Sequence, residues 1–94
     1  MRHRADNNQD EIIDAIRAIG ATVQILSQVG SGCPDILIGY HGINILIEIK
    51  QLGESLRPNQ QIWHNAWAGQ SATVHNIDEA IGVINATIRK GRSC

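Results

Sequence analysis

The chain has 94 residues, of which 43% are hydrophobic and 18% charged, and its formal net charge is −1. This length suits one small core, so we expect residues 1–94 to form a single domain with flexible tails at 1–6 and 91–94. The longest apolar stretch is interrupted by His, Gly, Asn and Glu, which argues against a membrane span, and no apolar signal-peptide core follows the N-terminus. We therefore expect a cytoplasmic protein.

Basic residues are concentrated near the two ends of the chain, and five of the eight lie there. They are Arg2, Arg4, Arg89, Lys90 and Arg92. Between positions 5 and 88, three basic residues stand against nine acidic ones, a local balance of −6. Because this central part of the chain is negatively charged, its long-range electrostatic field does not attract a nucleic acid. If the chain binds one, either the terminal basic residues contact phosphates, or a bound metal offsets the local charge, or both.

The first element in chain order is a helix. Asn8 followed three residues later by Glu11 resembles a helix start, and Gly20 ends the pattern. The apolar positions at helical spacing are Ile12, Ile16 and Ile19. Residues 21–29 alternate loosely and predict the first strand, which is followed by a Gly-Ser-Gly turn at 30–32.

A β-hairpin follows this turn. Two runs rich in β-branched residues, Ile36–Tyr40 and Ile43–Ile49, flank His41-Gly42, which reads as a two-residue loop. Counting back from this loop places Asp35 directly opposite Glu48, with Lys50 one step beyond on the same face. Both faces of the hairpin carry apolar residues, so we expect a central sheet with helices on each side, an α/β sandwich.

The charged end of this hairpin predicts a metal site. Two opposed carboxylates, Asp35 and Glu48, repel and raise each other's pKa unless a cation lies between them. Mg²⁺ and Mn²⁺ prefer oxygen ligands, and Mg²⁺ often uses one or two carboxylates. The ammonium of Lys50 is placed to hold a water or meet an anionic substrate. The alternative is a surface salt-bridge cluster at the end of a sheet.

The last third of the chain predicts two helices and a strand. Pro58 opens a helix that runs to about position 68, residues 72–75 form a short strand, and residues 77–90 form an amphipathic helix. Trp63 and Trp67 have the i, i+4 spacing of a buried stripe, so we interpret them as core residues rather than as base-stacking platforms. The predicted order is α-β-β-β-α-β-α around a mixed sheet.

The motifs together resemble a nuclease family. Pro34-Asp35, twelve residues, then Glu48-Ile49-Lys50 resembles the PD-(D/E)XK nuclease superfamily. The sets Gly32-x-Pro34-Asp35, Glu48-x-Lys50 and Gln60-x-x-Trp63 are similar to the VRR-NUC family within it. The resemblance extends from about position 11 to position 74. It implies a single-domain, restriction-endonuclease-like fold.

The resemblance also implies an activity and its residues. The chain would be a metal-dependent DNA endonuclease, with Mg²⁺ or Mn²⁺ held by Asp35, Glu48 and the backbone carbonyl of Ile49. Lys50 would act on the attacking water or the transition state, and Gln60 would hold a water or a phosphate oxygen. A Glu on the first helix often completes the site in this superfamily, and Glu11 is the matching position. Glu11 could instead cap its helix, and Asp10 and Asp14 are rivals for the ligand role.

The family's small stand-alone members resemble junction-resolving enzymes. By that resemblance we expect a homodimer that cuts branched DNA such as a four-way (Holliday) junction, in a bacterial or phage-infected cell. Two other functions remain open: a non-catalytic DNA-binding module of the same fold, and a nuclease subunit that a partner protein directs to its DNA.

Overall fold

Three helices and four strands follow one another in the predicted order along residues 4–92, the part of the chain that the computed structural model describes. The elements are α1 (Arg4–Ala18), β1 (Thr22–Ile25), β2 (Ile36–Tyr40), β3 (Ile43–Ile49), α2 (Pro58–Ala66), β4 (Ser71–Val74) and α3 (Ile77–Arg92). Of the expected tails, positions 1–3 and 93–94 lie outside the described residues. Positions 4–6 and 91–92 belong instead to α1 and α3.

The four strands form one mixed sheet in the order β1-β2-β3-β4. The pairs β1–β2 and β2–β3 are antiparallel, whereas β3 and β4 are parallel. Tyr40 pairs with Ile43, and the two loop residues His41 and Gly42 have φ of 52° and 79°. Positive φ at both positions is the geometry of a type I′ hairpin turn. The predicted register of the hairpin is therefore confirmed.

β1 is shorter than the strand predicted over residues 21–29. Its pairing with the hairpin ends where the Leu26 amide donates to the carbonyl of Asp35 at 2.7 Å. The Val29 amide then donates to the Leu26 carbonyl at 2.9 Å, so the chain turns away from the sheet. Val29 consequently lies on the surface rather than on a strand face.

The hydrophobic core lies on one face of the sheet, between the strands and the pair α1 and α3. Helix α1 contributes Ile12, Ile13 and Ile16, and helix α3 contributes Ala80 and Ile84. The sheet contributes Ile36, Ile38, Ile45, Ile47, Ile49 and Val74. These hairpin isoleucines share one face because side chains alternate along a strand. Among the described residues, no helix has the length and apolar character that crossing a membrane requires.

The second face of the sheet is covered less completely than the sandwich model predicted. Helix α2 reaches this face through Gln60, which is buried. The interpretation of Trp63 and Trp67 as core residues is wrong: Trp63 is half-buried and Trp67 is 46% exposed. Because α2 ends at Ala66 and Trp67 is extended, the helical stripe stops there. The two indole rings stack instead, with centroids 4.6 Å apart and planes 14° from parallel.

Candidate active site

The two hairpin carboxylates lie together at the end of the sheet. Asp35 immediately precedes β2, and its Oδ2 accepts a hydrogen bond from the Ile49 amide at 2.8 Å. Glu48 lies on β3 with its side chain directed away from the isoleucine core. Both line an open hollow of about 180 Å³, together with Ile49 and Lys50. The geometry counted from the two-residue loop therefore brings Asp35, Glu48 and Lys50 to one place.

Glu48 is a strongly perturbed carboxyl group. It is only 2% exposed, its Oε2 accepts a hydrogen bond from Nε2 of Gln60 at 3.2 Å, and its Oε1 is buried without a hydrogen-bond partner among the described residues. Burial raises the pKa of Glu48 to about 8, with a further contribution from the negative charge of the neighbouring Asp35. The positive charges of Lys50 and Arg57 lower the pKa in part.

Gln60 fixes the position of the Glu48 carboxylate. While its Nε2 donates to Glu48, its Oε1 accepts from the Arg57 amide at 2.9 Å, at the start of α2. This second bond satisfies a backbone donor at the helix start. The sequence predicted that the amide of Gln60 holds a water or a phosphate oxygen. The structure gives both ends of the amide partners within the protein, and the amide orients Glu48.

Helix α1 meets the site through Asn8 and Gln9 rather than through Glu11. The Nδ2 of Asn8 donates to the carbonyl of Lys50 at 3.2 Å, and Asn8 and Gln9 both line the hollow. Glu11 is exposed and lines a neighbouring hollow beside Asp78, of which Asn8 also forms part. Two positions along a helix correspond to a rotation of about 200°, so Gln9 and Glu11 point to opposite sides. Glu11 therefore does not line the hollow of Asp35 and Glu48, and its role as a metal ligand stays a prediction.

The rival acidic residues of α1, Asp10 and Asp14, do not line the hollow either. Within residues 4–92, no group of three or more His, Cys, Asp and Glu side chains is arranged to hold a metal ion. The acidic residues that line the hollow are Asp35, Glu48 and Glu54, and Glu54 already accepts a hydrogen bond from the Gln51 amide. Two carboxylates are sufficient for Mg²⁺, which keeps several of its waters.

The carbonyl of Ile49 faces the same side as these carboxylates. In an extended strand the N–H and C=O of one residue point in the same direction, and the Ile49 amide points at Asp35. On its other edge β3 is held by β4, where the Lys50 amide donates to the carbonyl of Val74 at 2.9 Å. Asp35, Glu48 and the Ile49 carbonyl thus supply three oxygen donors for a cation.

Sequence reasoning did not place four residues of this hollow in the site: Asn8, Gln9, Glu54 and Arg57. Gln51, which follows the Glu48-x-Lys50 motif and was an open candidate for facing the substrate, also lines it. Glu54 holds the loop after β3, since its Oε1 accepts from the Gln51 amide at 2.7 Å. Arg57 had a detectable signal, because it is one of three basic residues between positions 5 and 88 and directly precedes the helix-opening Pro58. Gln9 carried no signal in the sequence, because its place depends on how α1 rotates against the sheet.

A search of solved structures finds a chain described as "VRR_NUC domain" with a TM-score of 0.75 and 22% sequence identity. The match covers 89% of this chain and 97% of that one. No protein-family model matches the sequence, and no curated protein matches it. At this identity the likeness establishes the fold: the chain has the α/β fold of a VRR_NUC domain. The resemblance seen in the sequence motifs is confirmed at that level.

Proposed function

We propose that this chain belongs to the VRR-NUC family and is a metal-dependent endonuclease that hydrolyses DNA phosphodiester bonds. One observation carries the proposal: Glu48 is buried, has an oxygen without a partner, and lies beside a second carboxylate. A buried carboxylate of this kind costs stability unless a cation joins it. Its position on a VRR_NUC-type fold, next to Lys50, supports catalysis rather than a structural role.

The donors fit a hard divalent cation, Mg²⁺ or Mn²⁺. Asp35 Oδ1, the unpartnered Oε1 of Glu48 and the carbonyl of Ile49 would hold it, because all three are oxygen atoms on the same side of the sheet end. When bound, such a cation lowers the pKa of a water and offsets charge on the scissile phosphate. Because Gln60 donates its hydrogen bond to Oε2 of Glu48, it orients the carboxylate and leaves Oε1 free to bind the cation.

Lys50 supplies the positive charge next to the carboxylates. Lys50 directly follows β3 and is only 7% exposed, and its positive charge is close enough to lower the pKa of Glu48. There it orients the attacking water or stabilises the extra negative charge of the phosphorane-like transition state. Arg57, on the same hollow, adds a second cation for the DNA backbone.

Direct attack by water fits the site better than a covalent intermediate. Cys33 is a candidate nucleophile close enough to feel the charges of Glu48 and Asp35, and these charges together with burial raise the pKa of its thiol. A thiol held in its protonated form is a poor nucleophile. None of the described Ser, Thr or Cys side chains near the hollow is paired with a general base.

The substrate class that we propose is branched DNA, with a four-way junction as the leading case, cut by a two-fold homodimer. A two-fold assembly presents two sites to two strands. The edge strand β1 carries the exposed Ile25, and Val29 follows it on the surface, which is apolar area that a second copy would cover. Sedimentation of the purified chain tests the dimer independently of its activity.

The activity is tested by cleavage of end-labelled four-way junction, flap and linear duplex DNA with Mg²⁺ or Mn²⁺, using the wild type and Lys50→Ala. Paired symmetric cuts in the junction that the substitution abolishes would support both the site and the two-fold enzyme. Equal cutting of all three DNAs would retain the nuclease and reject the junction preference. No cutting of any DNA by the wild type would reject the catalytic function and leave a DNA-binding module.

A further inference from the structure

A second hollow lies on the side of α2 that faces away from Glu48. It is lined by Ser31, Asn59, Ile62, Trp63, Ala66 and Trp67, has a volume of about 380 Å³, and is called the tryptophan hollow below. Ile62 and Trp67 are exposed, and the stacked rings of Trp63 and Trp67 form an aromatic wall. The hollow is also lined by two polar side chains, those of Ser31 and Asn59, and each can form hydrogen bonds.

The tryptophan hollow adjoins the candidate active site. Asn59 lines the tryptophan hollow, and the next residue, Gln60, donates a hydrogen bond to Glu48 in the active site. The Cα atoms of these two consecutive residues are about 3.8 Å apart. On the other side Ser31 lines the hollow while Asp35 lies four residues further along the chain, a span of at most about 14 Å. A DNA strand in the active site would therefore pass within a few nucleotides of the hollow.

The two hollows share a closely packed wall. Gly32 lies against the backbone of Asn59 so closely that an added Cβ would come within 2.5 Å of the Asn59 carbonyl oxygen. Its φ of +83° also suits glycine and disfavours other residues. The loop that carries Ser31 and leads to Asp35 thus packs against the first turn of α2.

The lining indicates the kind of ligand. Of the residues that the structure describes, no charged one lines the tryptophan hollow, so no side chain there pairs with the charge of a phosphate. A partly exposed indole ring with two hydrogen-bonding side chains suits a flat, weakly polar ring. Resting on the proposed nuclease function, we propose that the tryptophan hollow binds an unpaired nucleobase of the cut DNA strand, stacked against Trp67.

This site would make the enzyme selective for DNA structure. A base within a duplex is stacked and paired, and its removal from the helix costs a few kcal/mol. A base at a flap, a junction or a single-stranded stretch is already available. Stacking of one base on an aromatic side chain contributes enough to change DNA affinity about 5- to 150-fold when the ring is removed. The hollow would then favour unpaired DNA over plain duplex without reading sequence.

The binding test uses the Glu48→Gln protein, in which we expect cleavage to be lost, and measures the anisotropy of labelled oligo(dA) and of a blunt duplex of equal length. We expect Trp67→Ala in this background to weaken oligo(dA) binding about 5- to 150-fold and to leave duplex binding unchanged. Trp67→Phe should restore most of the affinity, because it keeps a stacking ring. Leu52→Ala, which removes an exposed leucine from a loop, is the matched control and should have no effect. Equal affinity of all four proteins for oligo(dA) would overturn the proposal.

A second test works on the active enzyme. Single abasic sites are placed in turn at positions flanking the cut in a junction or flap. We expect one position at which the abasic site slows the wild type but not Trp67→Ala, because both changes remove the same stacked pair. Cleavage by the wild type with no such position would overturn the base site while leaving the nuclease intact, whereas no cleavage of any DNA would overturn the nuclease itself. If Trp67→Ala instead converts a dimer into a monomer at unchanged affinity for oligo(dA), the hollow is a contact between two copies and the proposal is wrong.

Discussion

Replacing Glu48 by Gln is expected to stabilise the metal-free protein at alkaline pH, although it removes a proposed metal ligand. The amide is close to the carboxylate in shape and can still accept the hydrogen bond from Gln60. The amide carries no charge. It therefore avoids the cost of burying a charge and the repulsion by Asp35, which together raise the pKa of Glu48 from 4.5 to about 8. The substitution should therefore raise the stability of the metal-free protein while it weakens metal binding.

The size and the pH range of the effect follow from that pKa. Because the folded-state pKa lies above the unfolded value, the native chain binds more protons between pH 4.5 and about 8, and the wild type loses stability as the pH rises through this range. The difference between the unfolded pKa of 4.5 and the folded pKa of about 8 lowers the unfolding free energy of the wild type by about 5 kcal/mol at pH 8.5. At pH 4.5 it lowers the unfolding free energy by almost nothing. Glu48→Gln should gain up to this amount over the wild type at pH 8.5 and differ little at pH 4.5.

Urea unfolding at the two pH values, with a chelator present, measures the difference. Glu11→Gln, on an exposed position of α1, is the matched control and should change stability by no more than about 0.5 kcal/mol at either pH. Added Mn²⁺ should stabilise the wild type and leave Glu48→Gln unaffected, since only the wild type keeps the full donor set. A Glu48→Gln protein that gains nothing between pH 4.5 and 8.5 would refute the argument from burial.

Three further changes test the account. Gln60→Ala should lower the unfolding free energy by about 1–3 kcal/mol and weaken metal binding about 10- to 100-fold, because Glu48 loses its buried partner; urea unfolding and Mn²⁺ titration measure the two effects. Gly32→Ala should destabilise the chain more than Gly42→Ala, since both have positive φ but only Gly32 lacks room for a Cβ; equal urea midpoints would contradict this. Burial lowers the pKa of His64, so its contribution to stability is present above its unfolded value of about 6.5 and is lost as the pH falls below it; His64→Gln should lose less stability than the wild type between pH 7.5 and 5.5.

The hairpin shows how much of the site the sequence predicts. A two-residue loop at His41-Gly42 determines the register, and alternation along the strands then determines the faces. From these local rules Asp35, Glu48 and Lys50 were expected at one end of the sheet, where the structure has them. The element order followed in the same way from periodicity and from glycine and proline positions, with β1 overestimated.

The remaining differences come from long-range packing. Whether Gln9 or Glu11 reaches the hollow depends on the rotation of α1 against the sheet, which the isoleucines of α3 and β3 help to set. The spacing of Trp63 and Trp67 indicates a common side of a helix, but not whether another element covers that side. Here α2 ends before Trp67 and the second sheet face is only partly covered, so the ring remains exposed.

The central claim is that Asp35 and Glu48, without Glu11, hold the catalytic metal. The most direct measurement is the rate at which Mn²⁺ supports cleavage of a four-way junction by the wild type, Glu48→Gln and Glu11→Gln at equal concentration. We predict a loss of at least about a hundredfold in Glu48→Gln and a rate within about twofold of the wild type in Glu11→Gln. Cleavage by Glu48→Gln at the wild-type rate would contradict the account, and a loss confined to Glu11→Gln would place the metal elsewhere.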